Sequence, residues 1–277
     1  MPSTVLLATP ELTLGEFACA SGDRLWREVN DIGARAHIVF PRTPVLIAQD
    51  GAHPTLVTPN DVVYYRPHQR YRRELRDARG DRSLWLEIAP EMGAVPDGPA
   101  RPGGVRTYLL AVGLAQHLRK EPRPDRLLAE EAALRLLDDA VSGASPDAAA
   151  RRDRTRAEHA GIAEAAKELL AERVAEPLSL REIAAALFVS PFHLARVFRS
   201  QTGFSLTGYV HGLRLRAAVD RLAAEPGADL SRLAVDLGYC SPSHFSDRFR
   251  SAFGRPPSAL RGTELRTIVE AVRAVAS

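Results

Sequence analysis

A chain of 277 residues is long enough for two ordinary domains, each with its own core. Its 45% hydrophobic and 26% charged residues are globular composition and exclude a wholly disordered chain. The net charge of +3 is uneven: residues 151–262 carry 17 Lys+Arg against 12 Asp+Glu, and residues 1–150 carry 18 against 20.

All but one of the cations in 151–262 are Arg, whose planar fork suits phosphates and guanine edges, so the charge points toward nucleic acid. Cys19 and Cys240 stand far apart, which leaves no disulfide framework and no CxxC pair, and a reducing compartment is expected. The N-terminus lacks a signal-peptide pattern, and the longest apolar stretch, around Tyr108–Ala115, is too short to span a bilayer. The expected location is the cytoplasm, with no membrane partner.

Along residues 12–90, short β-type runs at Ala36–Phe40, Val45–Ala48, Thr55–Val57, Val62–Tyr65 and Ser83–Ile88 are separated by Gly, Pro, Asn and Asp. They predict an antiparallel barrel or sandwich. Arg70, Arg72, Arg73, Arg76, Arg79 and Arg82 form a basic run around a hairpin, for which a solvated face is the usual explanation and an anion or DNA contact the sharper one. The stretch Pro96–Gly104 closes the β region. Two apolar-periodic segments, Val105–Arg119 and Arg126–Val141, then predict an antiparallel helix pair. Ser142–Asp153 is the linker expected between domains, and from about Thr155 onward everything reads as helix. Ser179 is the expected N-cap of a helix whose Glu182 completes the capping-box spacing.

The C-terminal third repeats itself. Leu180, Ile183, Ala184 and Leu187 return as Leu230, Leu233, Ala234 and Leu237, an offset of fifty. Ser190, Pro191, His193, Phe198, Arg199, Ser200 and Gly203 return as Ser241, Pro242, His244, Phe249, Arg250, Ser251 and Gly254 at fifty-one, so the second copy has one extra turn residue near Gly238. Each copy is a short helix, a tight turn, and a second helix with a Ser N-cap, Pro at the first helical position and Gly past the end. That is a helix-turn-helix.

On the first reader helix, spacing buries Leu194, Val197 and Phe198 and leaves Phe192, His193, Ala195, Arg196 and Arg199 on or near the other side. On the second, Phe245, Arg248 and Phe249 fall inward, with Arg248 breaking the apolar pattern, and Ser243, His244, Ser246, Asp247 and Arg250 fall outward or at the rim. Between the units, Ser205–Glu225 predicts one helix of about 30 Å. That is close to the roughly 34 Å turn of DNA, so two readers could enter successive major grooves.

These residues make the segment from about 160 to 262 resemble the DNA-binding domain of AraC/XylS-type transcription regulators, through LSLREIAAALFVSPFHLARVFRSQTGFSL and the closing GYCSPSHFSDRFRSAFGRPPSALR. The resemblance implies that Phe192, His193, Ala195 and Arg196 face the groove and that Arg199 lies near the backbone. Arg196 is the residue expected at guanine, since bidentate Arg is the commonest specific contact. Ser243, Ser246 and Asp247 fall at the corresponding positions of the second unit, with Arg250 for phosphate. Asp247 departs from the family pattern: an acid can accept from cytosine N4 but repels phosphate, so this unit is expected to bind more weakly or mainly to position the protein. Taken alone, Arg196 and Arg199 would be solvated surface charge and Asp247 a partner in a helix-surface salt bridge; the repeat is what favours DNA for Arg196.

Residues 1–104 resemble, more loosely, the cupin-like β-barrel sensor domains that precede this module, through IVFPRTPVLI, PNDVVYYRPHQRYRREL and DRSLWLEIAP. The fold class expected is therefore α+β. No His-x-His pair is present and His37, His53 and His68 are scattered, so neither metal nor other cofactor is expected. A small-molecule effector pocket could be lined by Phe17, His37, Phe40, Tyr64 and Trp85, although for any single one of them ordinary core is the first reading. The resemblance also implies dimerisation through the helix pair 105–141, which single-chain packing explains equally well, and RNA polymerase as a partner at promoter DNA. The tail 263–277, with Leu265, Ile268, Val269, Val272 and Val275, reads as an amphipathic extension that caps the module.

The reading is thus a sequence-specific, effector-responsive activator on double-stranded DNA, not an enzyme. A cupin-type metal-dependent enzyme with an appended DNA-binding domain is the alternative. A DNA-repair methyltransferase, also found fused to this module, would need reactive and zinc-binding cysteines that Cys19 alone cannot supply.

Overall fold

The computed structural model of the chain describes residues 3–96, 98–121, 124–142, 153–225, 227–260 and 268. The expected linker lies largely outside the described residues, as does the tail apart from Ile268.

The N-terminal part holds ten strands: β1 (Ser3–Ala8), β2 (Leu12–Cys19), β3 (Asn30–Asp31), β4 (Ala36–Pro41), β5 (Val45–Gln49), β6 (Thr55–Val57), β7 (Asp61–Tyr65), β8 (Arg70–Leu75), β9 (Asp81–Ile88) and β10 (Ala100–Pro102). They form two antiparallel sheets, ordered β1-β2-β9-β4-β7-β10 and β3-β8-β5-β6. The expected barrel is corrected here: among the described residues no strand pair joins the sheets, and the architecture is two facing layers. The five expected runs are all strands. The sequence reading did not single out β2, β3 or β10, the last within the stretch read as closing the β region, nor β1, whose outward residues include an exposed Val5, or β8, whose arginines hide its alternation.

Strand periodicity decides what each sheet face does, because successive side chains point to opposite faces. On β4, Ile38 and Phe40 enter the core shared with the helices, while His37 and Val39 face the second sheet. On β9, Leu84, Leu86 and Ile88 take the helix side, and Ser83 and Trp85 the other. On β7, Val62 and Tyr64 belong to the helix-side core, whereas Val63 and Tyr65 pack with Val45, Ile47 and Val57 between the sheets.

The helix pair forms as α1 (Val105–Lys120) and α2 (Arg126–Ser142). Helix α3 (Asp153–Glu172) then leads into α4 (Leu180–Ala186) and α5 (Pro191–Thr202), the long α6 (Leu206–Ala224), and α7 (Leu230–Asp236) with α8 (Pro242–Phe253). The caps at Ser179, Ser190 and Ser241 are those the sequence predicts, and Ser205 and Asp229 add two that it did not name. Ser179 and Glu182 form a full capping box, at 3.2 and 2.7 Å. Ser190, Ser205 and Ser241 cap α5, α6 and α8, and Gly203 and Gly254 end the two readers in the left-handed conformation that costs glycine least.

Two cores serve the helices. Ile183, Ala184, Leu194, Phe198, Leu206, Tyr209 and Leu213 close the first unit against Ala166 and Leu170 of α3. Leu215, Val219, Leu222, Leu233, Phe245, Phe249 and Phe253 close the second, and this cluster is continuous through α1 with the sheet-side core. Ile268 joins it, its Cδ1 lying where a Cβ on Gly113 would clash. Helix α6 therefore belongs half to each unit.

A polar seam fastens α6 to the β region. Arg216, 2% exposed, donates to Asn60 Oδ1 at 2.6 Å and to the Gly103 carbonyl at 2.5 Å. Burial pushes its guanidinium down to about 10, which leaves it charged at neutral pH. Asp220 accepts from Arg42 at 2.8 Å and from the Tyr108 hydroxyl at 2.9 Å; burial above all holds that hydroxyl far above its usual range, so it stays a donor. The Tyr209 hydroxyl meets Thr58 at 2.7 Å, and Lys167 of α3 donates to the Leu56 carbonyl.

Candidate nucleic-acid interface and ligand cavity

The first reader, α5, sorts its side chains as 3.6-residue periodicity requires. Leu194, Val197 and Phe198 are buried, Phe192, Arg196 and Arg199 are exposed, and His193 and Ala195 are half-buried. Phe192 is 80% exposed, leaving a large apolar side chain in solvent. Among the described residues no ion pair is recorded for Arg196 or Arg199, so both guanidinium groups have their donors available. The His193 ring lies 5.4 Å from that of His159 on α3.

In α8, Phe245, Phe249 and Phe253 make an aromatic spine, the first pair edge-to-face and the second tilted, with ring centroids 5.6 and 4.5 Å apart. Ser243, Asp247 and Arg250 are exposed, and Ser246 and His244 half-buried. Arg248 is corrected: it is exposed, with its Nε 3.4 Å from His244 Nε2. Its counterpart Val197 is buried where α5 packs along α3, whereas α8 packs on α1 and on the 3-10 turn Pro257–Leu260. Asp247 and Arg250 pair at 3.5 Å, both well exposed, so part of the second reader's positive charge is answered within the helix.

The two turns share a left-handed position that is occupied by different residues. Gly238 has φ of 74° and a Cβ there would stand 2.2 Å from the Ala175 carbonyl oxygen. Its counterpart Phe188 takes the same left-handed conformation at φ 54° with its side chain 96% exposed. The added residue follows Gly238, where Tyr239 and Cys240 precede the N-cap.

A second feature lies between the sheets. A cavity of about 500 Å³ is walled by Phe17, Val39, Ile47, Tyr71 and Trp85, with His37, Arg73 and Asp81 among its polar members. Phe17, His37 and Trp85 are thus brought together as expected. Phe40 is not, because it points to the helix side of β4. Tyr64 is on the helix side of β7, where its hydroxyl donates to the Ala140 carbonyl at 2.8 Å and the residue edges a separate cleft near Asp50 and Gln69. Burial holds His37 below the usual imidazole range and therefore neutral, despite Glu87 at 3.7 Å.

The basic run of β8 and its hairpin is not one solvated face. Arg73 is 4% exposed and reaches into the cavity, donating from Nη1 to Asp81 Oδ2 at 2.7 Å. Arg76 pairs with Glu168 on α3 at 3.3 Å, and Arg79 with Asp77 at 2.6 Å. Arg73 was legible in principle: it shares the inward parity of Tyr71 on β8. Among the described residues no group of three or more His, Cys, Asp or Glu side chains could hold a metal ion, and no helix is long and apolar enough to cross a membrane.

Residues 183–263 match a family model described as a helix-turn-helix domain. The regulatory protein SoxS of Salmonella typhimurium is 36% identical over 105 residues, which cover 37% of this chain and 95% of that protein. The HTH-type transcriptional regulator GlxA of Rhizobium meliloti is 30% identical over 118 residues, 43% of this chain but only 36% of that protein. A crystal structure of ToxT from Vibrio cholerae with an unsaturated fatty acid bound aligns over 93% of this chain and 99% of that one, at 12% identity and a TM-score of 0.33.

Proposed function

Since the chain belongs to the AraC/XylS family of DNA-binding transcription regulators, we propose that it reads an asymmetric promoter site through α5 and uses α8 mainly to hold register. The observation that carries this is the contrast between the readers: Phe192, Arg196 and Arg199 are exposed on α5, where among the described residues neither arginine is in an ion pair, whereas Asp247 and Arg250 answer each other on α8. In this reading Arg196 makes the bidentate guanine contact, with Phe192, His193 and Ala195 against base edges and Arg199 and Arg250 at phosphates. Ser243 and Ser246 supply short polar contacts beside Asp247. With α6 spanning 19 residues, about 28 Å at 1.5 Å per residue, the readers serve neighbouring grooves.

The inter-sheet cavity is the effector site of this proposal, and the seam on α6 is the route by which its occupancy reaches the readers. Activation through RNA polymerase, dimerisation through α1 and α2 and a cytoplasmic location complete the reading. Leu127 and Leu134, 71% and 44% exposed on α2, support the dimer. The segments taken as sensor (1–104), helix pair (105–141), linker (142–154), DNA-binding module (155–262) and extension (263–277) are part of the same proposal.

The test is selection of preferred sites from random duplex DNA by the full chain. A site with one strongly specified block and a weak second block about one turn away is expected. Two equally specified blocks would overturn the division of labour, and no enrichment with or without candidate effectors would overturn the regulator's proposed site reading.

A further inference from the structure

Arg73 presents an unfinished hydrogen-bonding group to the inter-sheet cavity. Its guanidinium is enclosed by aromatic faces, 4.4 Å from the Phe17 ring centroid, 5.6 Å from Trp26 and 5.9 Å from Tyr71. Nη1 is satisfied by Asp81, but Nε and Nη2 are buried and have no partner among the described residues. Buried donors without acceptors are costly, and a cavity with mostly apolar walls and a few convergent polar groups is the ordinary form of a small-molecule site. A ligand oxygen seated in the cavity would supply the missing acceptor.

The charges lining the cavity decide what kind of oxygen it is. Asp81 already neutralises Arg73, and Glu28 and Asp31 add two exposed carboxylates at the rim. His37 is neutral, and burial holds the nearby Cys19 in its thiol form. A ligand carboxylate would share one guanidinium with Asp81 and meet the rim acids. A ligand ammonium would be drawn by the acids but would face Arg73 and leave its donors unmet. An uncharged oxygen completes the Arg73 donors without adding charge, and Asp81 has lone pairs left for a donor on the same ligand group. On the reading that this cavity holds the effector, we infer that the effector is an uncharged aromatic or alicyclic molecule bearing a carboxamide or hydroxyl. Arg73 and Asp81 together select for neutrality, and Phe17, Tyr71 and Trp85 enclose the ring.

Benzamide, benzoate and benzylamine have nearly one shape and three charges, so their binding to the full-length protein tests this directly. Of the chain's two tryptophans, Trp85 lines the cavity and the Trp26 ring centroid lies 5.6 Å from the Arg73 guanidinium, so their fluorescence reports occupancy, with calorimetry as the second readout. Benzamide is expected to bind at least about tenfold more tightly than either charged analogue. In Asp81→Asn, which leaves the Arg73 charge unanswered, the order should invert so that benzoate binds best. Benzoate or benzylamine matching or exceeding benzamide on the wild-type protein overturns the inference while leaving the effector site standing. Binding of none of the three, by either readout, removes the effector site and the inference with it. The wild-type panel stands even if Asp81→Asn fails to fold.

Discussion

Helices α5 and α8 are cut from one local pattern, yet their surroundings make them different instruments. Both begin at a Ser cap with Pro behind it and both end at a left-handed Gly. The first buries its apolar side against α3 in a core of its own, while the second feeds an aromatic spine into a core that continues through α1 to the sheets. The outer faces part in the same way, with Arg196 in one answered by Asp247 in the other. The repeat keeps one scaffold, and the neighbours decide which core each copy closes.

The sharpest way to break this comparison is through the cores. Phe249→Ala should destabilise the protein by about 3–5 kcal/mol in urea denaturation and should also lower hydrogen-exchange protection in α1. Phe198→Ala should cost a similar amount but leave α1 protected. Equal protection of α1 in both variants would mean that the second unit is as separate as the first.

On the DNA side, Arg196→Ala should cost about 1–3 kcal/mol on the selected site and little on random duplex. Arg250→Ala should weaken binding to all sequences and reduce the salt slope by about one. If both variants behaved alike in a salt titration, the division between reading and positioning would be lost. Asp247→Asn removes repulsion from phosphate and frees Arg250, so it should tighten binding to all duplexes by about 0.5 kcal/mol or less, the scale of an exposed pair.

The turns offer a finer test. Phe188→Gly relieves a left-handed side-chain-bearing residue and makes the first turn like the second. Its expected gain is about 0.5 kcal/mol, the strain relieved less the added unfolded-state entropy. A loss on chemical denaturation would show that the Phe188 side chain makes a stabilising contact. The smallest effect is on pH. His37 and His211 are both held below the usual value of 6.5, chiefly by burial, with Arg248 and Arg214 adding to it at His211. The unfolded chain therefore binds more protons than the folded one just below that pH, and stability should fall as pH drops through about 6.5. His37→Gln and His211→Gln, measured by denaturation midpoints above and below that pH, should each flatten the decline and show whether the cavity or the helix-turn-helix module contributes more of it.

Much of the C-terminal third was legible because its signals are local. The capping box at Ser179, the Pro and Gly ends of both readers and the buried positions Leu194, Phe198, Phe245 and Phe249 follow from spacings of three or four residues. The Arg248 position was misread because local periodicity cannot say whether another helix covers that side. In the β region, five strand runs were visible from their composition. Their closure was not, since two sheets and a barrel share the same alternation and differ only in which distant strands pair.

By itself, then, the sequence determined the repeat, the Ser and Gly ends of its helices, their buried aromatic and aliphatic positions and the family, all properties of helical period and short-range hydrogen bonds. The tertiary structure decided that Phe40 and Tyr64 turn away from the cavity, that Arg73 enters it, and that Arg216 and Asp220 fasten α6 to the β region. The physical reason is sequence separation. Arg216 finds Asn60 across 156 residues and Asp220 finds Arg42 across 178, and the partner of a buried charge is fixed only when the whole chain has folded around it.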